Sequence, residues 1–273
     1  MNRYAFKAGI LPLLALAWAA PAGAAMFWQP IPSSHGNIQH NRMAAKQLNL
    51  HDGYSADVRF MHADLEVQTL SLDDDKITLH PTGKNNYHVL TAHRTRGKLH
   101  ETAIRYLFLH GKPTGHSPSE LTAAGKAQLE IVPSPLPREH WHYQGSKQAL
   151  FRILFRGQPL TDHAVTITSG NGTAMRATTD AEGVIQLTVP DDFAAIKPGR
   201  MHNPPAEWQL TVQHNYNGQQ YQTTLTAPYY VNPHHWQTLS WGVAATGGAM
   251  IPALFMLIRR QKNRANTNKK RGE

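Results

Sequence analysis

The stretch 151–190 reads FRILFRGQPLTDHAVTITSGNGTAMRATTDAEGVIQLTVP. Apolar residues alternate with polar ones in short runs, which is the pattern of half-buried antiparallel strands. Asn171-Gly172 is a strong hairpin signal, and Asp180 with Gly183 fits the first and fourth positions of a type I turn. The stretch therefore predicts consecutive strands joined by tight turns.

The same punctuation continues on both sides of this stretch. Alternating runs at 208–214 and 220–227 predict a last hairpin, and further runs between 57 and 109 predict earlier strands. Helical periodicity is nearly confined to residues 118–126. We therefore expect an all-β exported region with two immunoglobulin-like β-sandwich modules, an N-terminal one at 26–128 and a C-terminal one at 129–232.

The C-terminal region predicts a membrane anchor. No charged residue occurs from Leu239 to Ile258, a run long enough to cross a bilayer as a helix. The tail that follows is rich in lysine and arginine, which indicates the cytoplasmic side. We expect a single transmembrane helix at 237–258 and a basic cytoplasmic tail at 259–273.

The N-terminal region predicts a secretory signal peptide at 1–25. Arg3 and Lys7 precede an apolar run, and Ala22-Gly23-Ala24 offers a cleavage site, so the mature chain is expected to start at Ala25 or Met26. The alternative is an uncleaved N-terminal anchor. With a cleaved signal, the chain is a single-pass protein of the bacterial inner membrane, with its modules in the periplasm and its C-terminus in the cytoplasm.

The charge distribution supports the predicted membrane topology. The formal net charge is +9, but most of the excess lies in the signal and the tail, and the region between them is nearly neutral. The basicity is therefore a topology signal, and we expect no nucleic-acid partner. Cysteine is absent, so the modules must be held together by core burial without disulfides.

The second module carries a pattern of strand and turn motifs. The matching residues are Leu129, Glu130, Ile131 and Pro133, then Gly157, Pro159, Leu160, Ala164 and Val165, then Thr178, Thr179, Asp180 and Gly183. With the opening FWQP at 27–30, this pattern resembles a family of exported two-sandwich proteins of unknown function. The family is often described as the periplasmic component of cobalt or nickel uptake systems.

The resemblance implies a two-sandwich fold and a role beside a membrane permease. A C-terminal single span with a basic tail is similar to the arrangement in some members of the family. One departure concerns the start of the mature chain. Many members begin with an Ala-His pair suited to nickel or copper, whereas here Met26 follows Ala25.

Histidine is the remaining chemical signal, with 17 in the chain. Without cysteine, a transition-metal site would use imidazole and carboxylate, a ligand set that suits nickel, cobalt, copper or zinc. The candidate ligands are His140 and His142, which share one face if the segment is a strand, and His234 and His235 before the anchor. The alternatives are ordinary strand or loop residues for the first pair, interfacial anchoring for the second, and a pH response.

The expected membrane helix also carries small residues at a spacing of four. Ala244 with Gly248, and Ala245 with Ala249, form a face that lets another helix approach closely. We predict that this face contacts a partner helix, the alternative being chance clustering in a plain anchor.

No catalytic motif accompanies these signals, and the Asp191-Asp192 pair lies in a loop bounded by Pro and Gly, where we expect it to be solvated. We therefore expect no enzyme. The leading hypothesis is a membrane-anchored periplasmic accessory protein of a divalent transition-metal uptake or handling system. The competing one is an adaptor whose modules and helix bind another envelope protein without metal, and a glycan-binding module ranks last.

Overall fold

The structure is a computed structural model, and it describes residues 25–32, 45–138 and 142–237. Within these ranges no helix is both long and apolar enough to cross a bilayer. The predicted signal peptide, membrane helix and tail lie outside the described residues, apart from Ala25 and Gln237 at their boundaries.

Strands dominate the described residues, which confirms the all-β prediction. In chain order the strands are β1 (Phe27–Pro30), β2 (Lys46–His51), β3 (Asp57–Met61), β4 (Val67–Leu70), β5 (Lys76–Leu79), β6 (Gly83–Arg96), β7 (Leu99–Leu109), β8 (Gly111–Pro113), β9 (Leu129–Pro133), β10 (Tyr143–Gln144), β11 (Gln148–Phe155), β12 (Gln158–Pro159), β13 (Ala164–Ser169), β14 (Ala174–Thr178), β15 (Val184–Thr188), β16 (Ala206–Tyr216) and β17 (Gln219–Tyr230). Two short helices, α1 (Pro118–Ala123) and α2 (Pro233–Trp236), and a 3-10 turn (Arg200–His202) accompany them.

The second module forms as its turn residues predict. β13 and β14 are joined at Asn171-Gly172 and pair antiparallel, with Thr168 opposite Ala174. At the next turn Asp180 accepts backbone N–H bonds from Glu182 and Val184 through its side chain. Gly183 has a φ of 70° there, and an added Cβ would lie 2.9 Å from the Ile153 carbonyl oxygen. That position therefore requires glycine.

Two sheets face each other in this module. β11 pairs with β9, β12 and β15, and the opposite layer contains β13, β16 and β17. Inward-facing residues of both layers meet around Phe151 and Trp208, whose rings contact edge to face at 5.6 Å. Each layer thus buries one face of its alternating pattern, as in a β-sandwich.

The two predicted modules share one sheet. Ten strands lie in it, with the main order β14-β13-β16-β17-β7-β6-β3-β4. The junction is a parallel pairing of β17 with β7, which sets residues 220–226 opposite residues 99–105. The boundary near residue 128 stays a prediction. In the structure, one continuous hydrogen-bonded sheet contains strands from both sides of this boundary.

Both faces of this sheet are covered near the junction. One face packs against a separate antiparallel sheet, β1-β2-β5, through Leu90, Ala92 and Ala103. Together the two surfaces form the core of the first module. The opposite face carries the sequence neighbours Val89 and Ile104. These two residues pack with α1 and β9 in the core of the second module. Because alternate residues point to opposite faces, β6 and β7 form the middle of three layers.

A buried ion pair crosses the junction. Arg105 in β7 holds Glu207 in β16 by two hydrogen bonds, with N–O distances of 2.6 and 3.0 Å. The guanidinium also donates to the hydroxyl of Thr226 in the intervening strand β17, at 3.2 Å. The pair therefore ties side chains of both modules together across three adjacent strands.

Candidate functional site

Residues of both predicted histidine segments lie at one end of the second module. β10 pairs in parallel with the last residues of β17, so that Tyr143 and Gln144 lie opposite Tyr229 and Tyr230. His142 immediately precedes β10, and α2, which holds His234 and His235, follows β17. We call this the anchor-side end, because the chain continues from it into the predicted membrane helix.

His142 lies against the last residue of β17. Its ring stacks on Tyr230 with centroids 4.5 Å apart, and its Nε2 lies 3.0 Å from a guanidinium nitrogen of Arg200. A guanidinium only donates, so Nε2 is the acceptor in this contact. A metal ion at Nε2 would have to displace Arg200. His140 lies outside the described residues.

His235 pairs with a carboxylate. Its Nε2 lies 2.7 Å from Asp191, whose same oxygen accepts a 2.6 Å hydrogen bond from Ser146. Burial alone would raise the pKa of Asp191, but the hydrogen bonds from Ser146 and His235 outweigh it, so the pKa is lowered. His234 is exposed, and its backbone N–H is capped by the side chain of Asn232.

Asp192 sits in a second hydrogen-bond network at this end. It accepts bonds from Ser169, Asn171 and Tyr229. Burial opposes ionisation, yet these donors and Thr173 lower the pKa of Asp192 to about 2. The prediction of a solvated loop residue is therefore wrong for Asp192, which is half-buried and has polar partners on both oxygens.

The described predicted ligands, His142, His234 and His235, lie at the anchor-side end without forming a common ligand set. No three His, Asp or Glu side chains converge as a metal site within the described parts of the chain. Asp191 is the carboxylate that contacts His235 there, whereas His142 contacts Arg200 and Tyr230. The predicted partner-helix residues Ala244, Ala245, Gly248 and Ala249 lie outside the described residues.

A cleft of about 330 Å³ opens on the ten-stranded sheet at the junction of the modules. Its floor is a polar row across four adjacent strands, in register. The row consists of Asp57 in β3, His93 in β6, Thr102 in β7 and Thr223 in β17. Thr95, His100 and Tyr221 form the next row outward. A sheet face that is apolar further along thus becomes polar at this end.

The cleft presents mostly uncharged hydrogen-bonding groups. The ring of His93 lies 3.3 Å from the hydroxyl of Thr102, and burial lowers its pKa, which favours neutral imidazole at neutral pH. His100 stacks on Tyr221 with centroids 4.8 Å apart. This site was not predicted from the sequence, although alternate positions 93, 95, 100 and 102 are polar where a buried strand face would be apolar.

No family model and no curated protein matches the chain. One solved structure, a Ca²⁺-stabilised adhesin that helps an Antarctic bacterium bind ice, is 12% identical with a TM-score of 0.26, covering 76% of this chain and 49% of that chain. A two-domain fibronectin type III segment of chicken tenascin is 7% identical with a TM-score of 0.23, and the match covers 74% of this chain and 97% of that chain.

The chain thus spans about half the length of the adhesin. Overlaps with TM-scores this low carry no argument about ligands or partners.

Proposed function

We propose that this chain is a non-catalytic accessory protein at the periplasmic face of the bacterial inner membrane, serving a divalent transition-metal uptake or handling system. One observation carries the proposal. His142 and His235, distant in sequence, both lie at the anchor-side end, where the chain continues towards its predicted membrane helix. The resemblance of the strands at 129–190 to periplasmic components of cobalt or nickel uptake supports the same role.

The chemistry of this end suits a borderline metal ion. Imidazoles of His142 and His235 and the carboxylate of Asp191 are ligands of the kind that nickel, cobalt, copper and zinc accept. Arg200 contacts Nε2 of His142, and Asp191 contacts Nε2 of His235. Metal capture therefore involves exchange of these protein contacts for bonds to the ion, and an inner-membrane permease is the proposed recipient.

Titration of the full chain in detergent micelles with Ni²⁺, Co²⁺, Cu²⁺ and Zn²⁺ tests this proposal. We expect binding tighter than ~100 μM, or about −5.5 kcal/mol, for at least one ion, and weakening of at least tenfold in His235→Ala. The matched control is His80→Ala, an exposed histidine after β5. Weaker binding for all four ions, or equal effects of the two variants, would contradict direct capture at the anchor-side end.

The second candidate is an adaptor that binds another envelope protein without metal. It is favoured by the continuous sheet and the Arg105–Glu207 pair, because two modules joined in this way hold a bound partner at a fixed position. The proposed modules are immunoglobulin-like, and the polar cleft between them offers a surface for such contacts.

Replacement of Ala245 and Gly248 by leucine tests the helix contact in either candidate. We expect the variant to insert normally but to lose a co-purifying membrane partner, because the small-residue face no longer allows close approach. The measurement is affinity capture from solubilised membranes with and without chelator. Undiminished capture would make the segment a plain anchor, and capture that the chelator does not affect would favour the adaptor over metal handling.

A further inference from the structure

The first module contains a pair of buried histidines that have no role in the proposed function. His62 follows β3 and His88 lies in β6, with residue exposures of 8% and 0%. Their ring centroids are 5.5 Å apart at an interplanar angle of 74°, and Phe60 packs against both rings. Buried imidazoles are usually satisfied by hydrogen bonds on both nitrogens. The partners of each nitrogen therefore define what the pair can bind.

His88 has one nitrogen committed as a donor. Its Nδ1 lies 3.1 Å from the backbone carbonyl oxygen of Asn86, which only accepts, so Nδ1 carries the proton. Its Nε2 is then a lone-pair acceptor, and it receives the hydroxyl of Thr82 at 2.9 Å. A ring N–H held by a backbone carbonyl is the arrangement that orients metal-ligating histidines.

His62 has one ring nitrogen without a partner in the described part of the chain. Burial is the largest influence on its pKa and lowers it, which favours the neutral ring. Its Nδ1 is buried and has no hydrogen-bond partner among the described residues. In the tautomer that carries its proton on Nε2, the lone pair of Nδ1 has no proton donor and is open to a ligand.

The spacing of the rings suits one bridging ion. An ion about 2.0–2.1 Å from a ring nitrogen lies roughly 3.2 Å from that ring's centroid. Two such arms reach centroids 5.5 Å apart when the angle between them is roughly 120°, in the trigonal to tetrahedral range. The hydroxyl of Thr82, displaced from Nε2 of His88 by the ion, lies beside the remaining position.

The formal count of nearby charges is negative. Asp64 and Glu66, in the turn after His62, both pair with Lys84, at 2.6 and 2.7 Å. Two carboxylates thus face one ammonium, although Lys84 has the largest single charge effect on His62 and lowers its pKa. Both ring sites consist of neutral nitrogen donors, which Zn²⁺ and Cu⁺, closed-shell ions without a preferred d-electron geometry, accept at such angles.

We propose that Nδ1 of His62 and Nε2 of His88 bind one closed-shell metal ion, Zn²⁺ or Cu⁺, at a site in the first module. This site is separate from the anchor-side end, and it does not depend on the proposed function. Because the Nδ1–H group of His88 already faces a backbone carbonyl oxygen, that ring needs no change of tautomer when the ion enters.

The test measures affinity in the full chain in micelles by competition with a chromophoric chelator, for Zn²⁺ in air and for Cu⁺ under anaerobic reducing conditions. We expect His62→Gln to lower the affinity for one of the two ions at least tenfold. The matched control is His93→Gln, a half-buried histidine in the same sheet whose ring lies 3.3 Å from the hydroxyl of Thr102. His62 is preferred to His88 as the target because the fully buried His88 is more important for packing.

Long-range imidazole ¹H–¹⁵N spectra supply a second readout. The expected ion should shift Nδ1 of His62 and Nε2 of His88 while the N–H proton of His88 Nδ1 persists. Equal affinities of wild type and His62→Gln for both ions would overturn the proposal, and so would unchanged resonances of both rings. Either result leaves the His235→Ala titration untouched, so failure here is distinguishable from failure of the anchor-side site.

Discussion

Glu207→Leu is expected to lower the free energy of unfolding by about 3 kcal/mol. Arg105 is 4% exposed and Glu207 24% exposed, so the change leaves a guanidinium buried without its carboxylate. Removal of one partner of a buried pair is more costly than replacement of both, because the remaining charge has lost its compensation. Urea denaturation followed by fluorescence measures the loss.

Two variants sharpen this test. The double variant Arg105→Met/Glu207→Leu should recover most of the stability, because no unpaired charge remains. Lys76→Met breaks an exposed pair with Asp74 and should change the free energy of unfolding by less than about 0.5 kcal/mol, given side-chain exposures of 56% and 90%. A Glu207→Leu loss no larger than that of Lys76→Met would show that the junction does not depend on this pair.

Acid is expected to destabilise the protein between pH 6.5 and 4, and His88 is the main single cause. Burial lowers the pKa of His88 to about 4, with the nearby His62 adding to the effect. The unfolded chain binds this proton near pH 6.5, so below that pH the unfolded state holds more protons and gains stability relative to the fold. Above pH 6.5 both states are neutral at this residue, and the contribution is constant.

The expected loss from His88 is about 2 kcal/mol between pH 7 and pH 5, at ~1.4 kcal/mol for each unit below 6.5. Urea denaturation in the presence of chelator at these two pH values measures it, above the range in which unfolded carboxylates titrate. His88→Gln should flatten the dependence in part, since His62, His93 and His214 also have lowered pKa values from burial. The control His80→Gln should leave the slope unchanged, and an equal slope in His88→Gln would contradict the assignment.

Local signals account for the parts of the fold that the sequence predicted. The second module follows from Asn171-Gly172 and from Asp180 with Gly183, whose backbone requirements are visible in single residues. The β1-β2-β5 sheet was not predicted, because its strands are short and interrupt their apolar positions with lysine and asparagine. Short mixed strands acquire their identity from the face they cover, which is a tertiary property.

The same limit applies to the sites. Histidine spacing predicted His142 and His235 as candidate ligands, but the contacts that occupy them come from Arg200 and Asp191, which are remote in sequence. The buried pair of His62 and His88 was visible only as two scattered residues. Their convergence depends on β3 pairing with β6, where Met61 lies opposite Val89. Pairings of this kind have no signature in single residues.

The parallel pairing of β7 with β17 also has a consequence for the order of assembly. Arg105 and Thr226 lie opposite each other across 121 residues of chain, so we expect their contact to form late in folding, because it closes a long loop. Until β17 arrives, β7 has an open edge, the kind of surface that recruits foreign strands. If export proceeds from the N-terminus, the last strand before the predicted anchor closes that edge, and the interval before its arrival is when the first module is most exposed to aggregation.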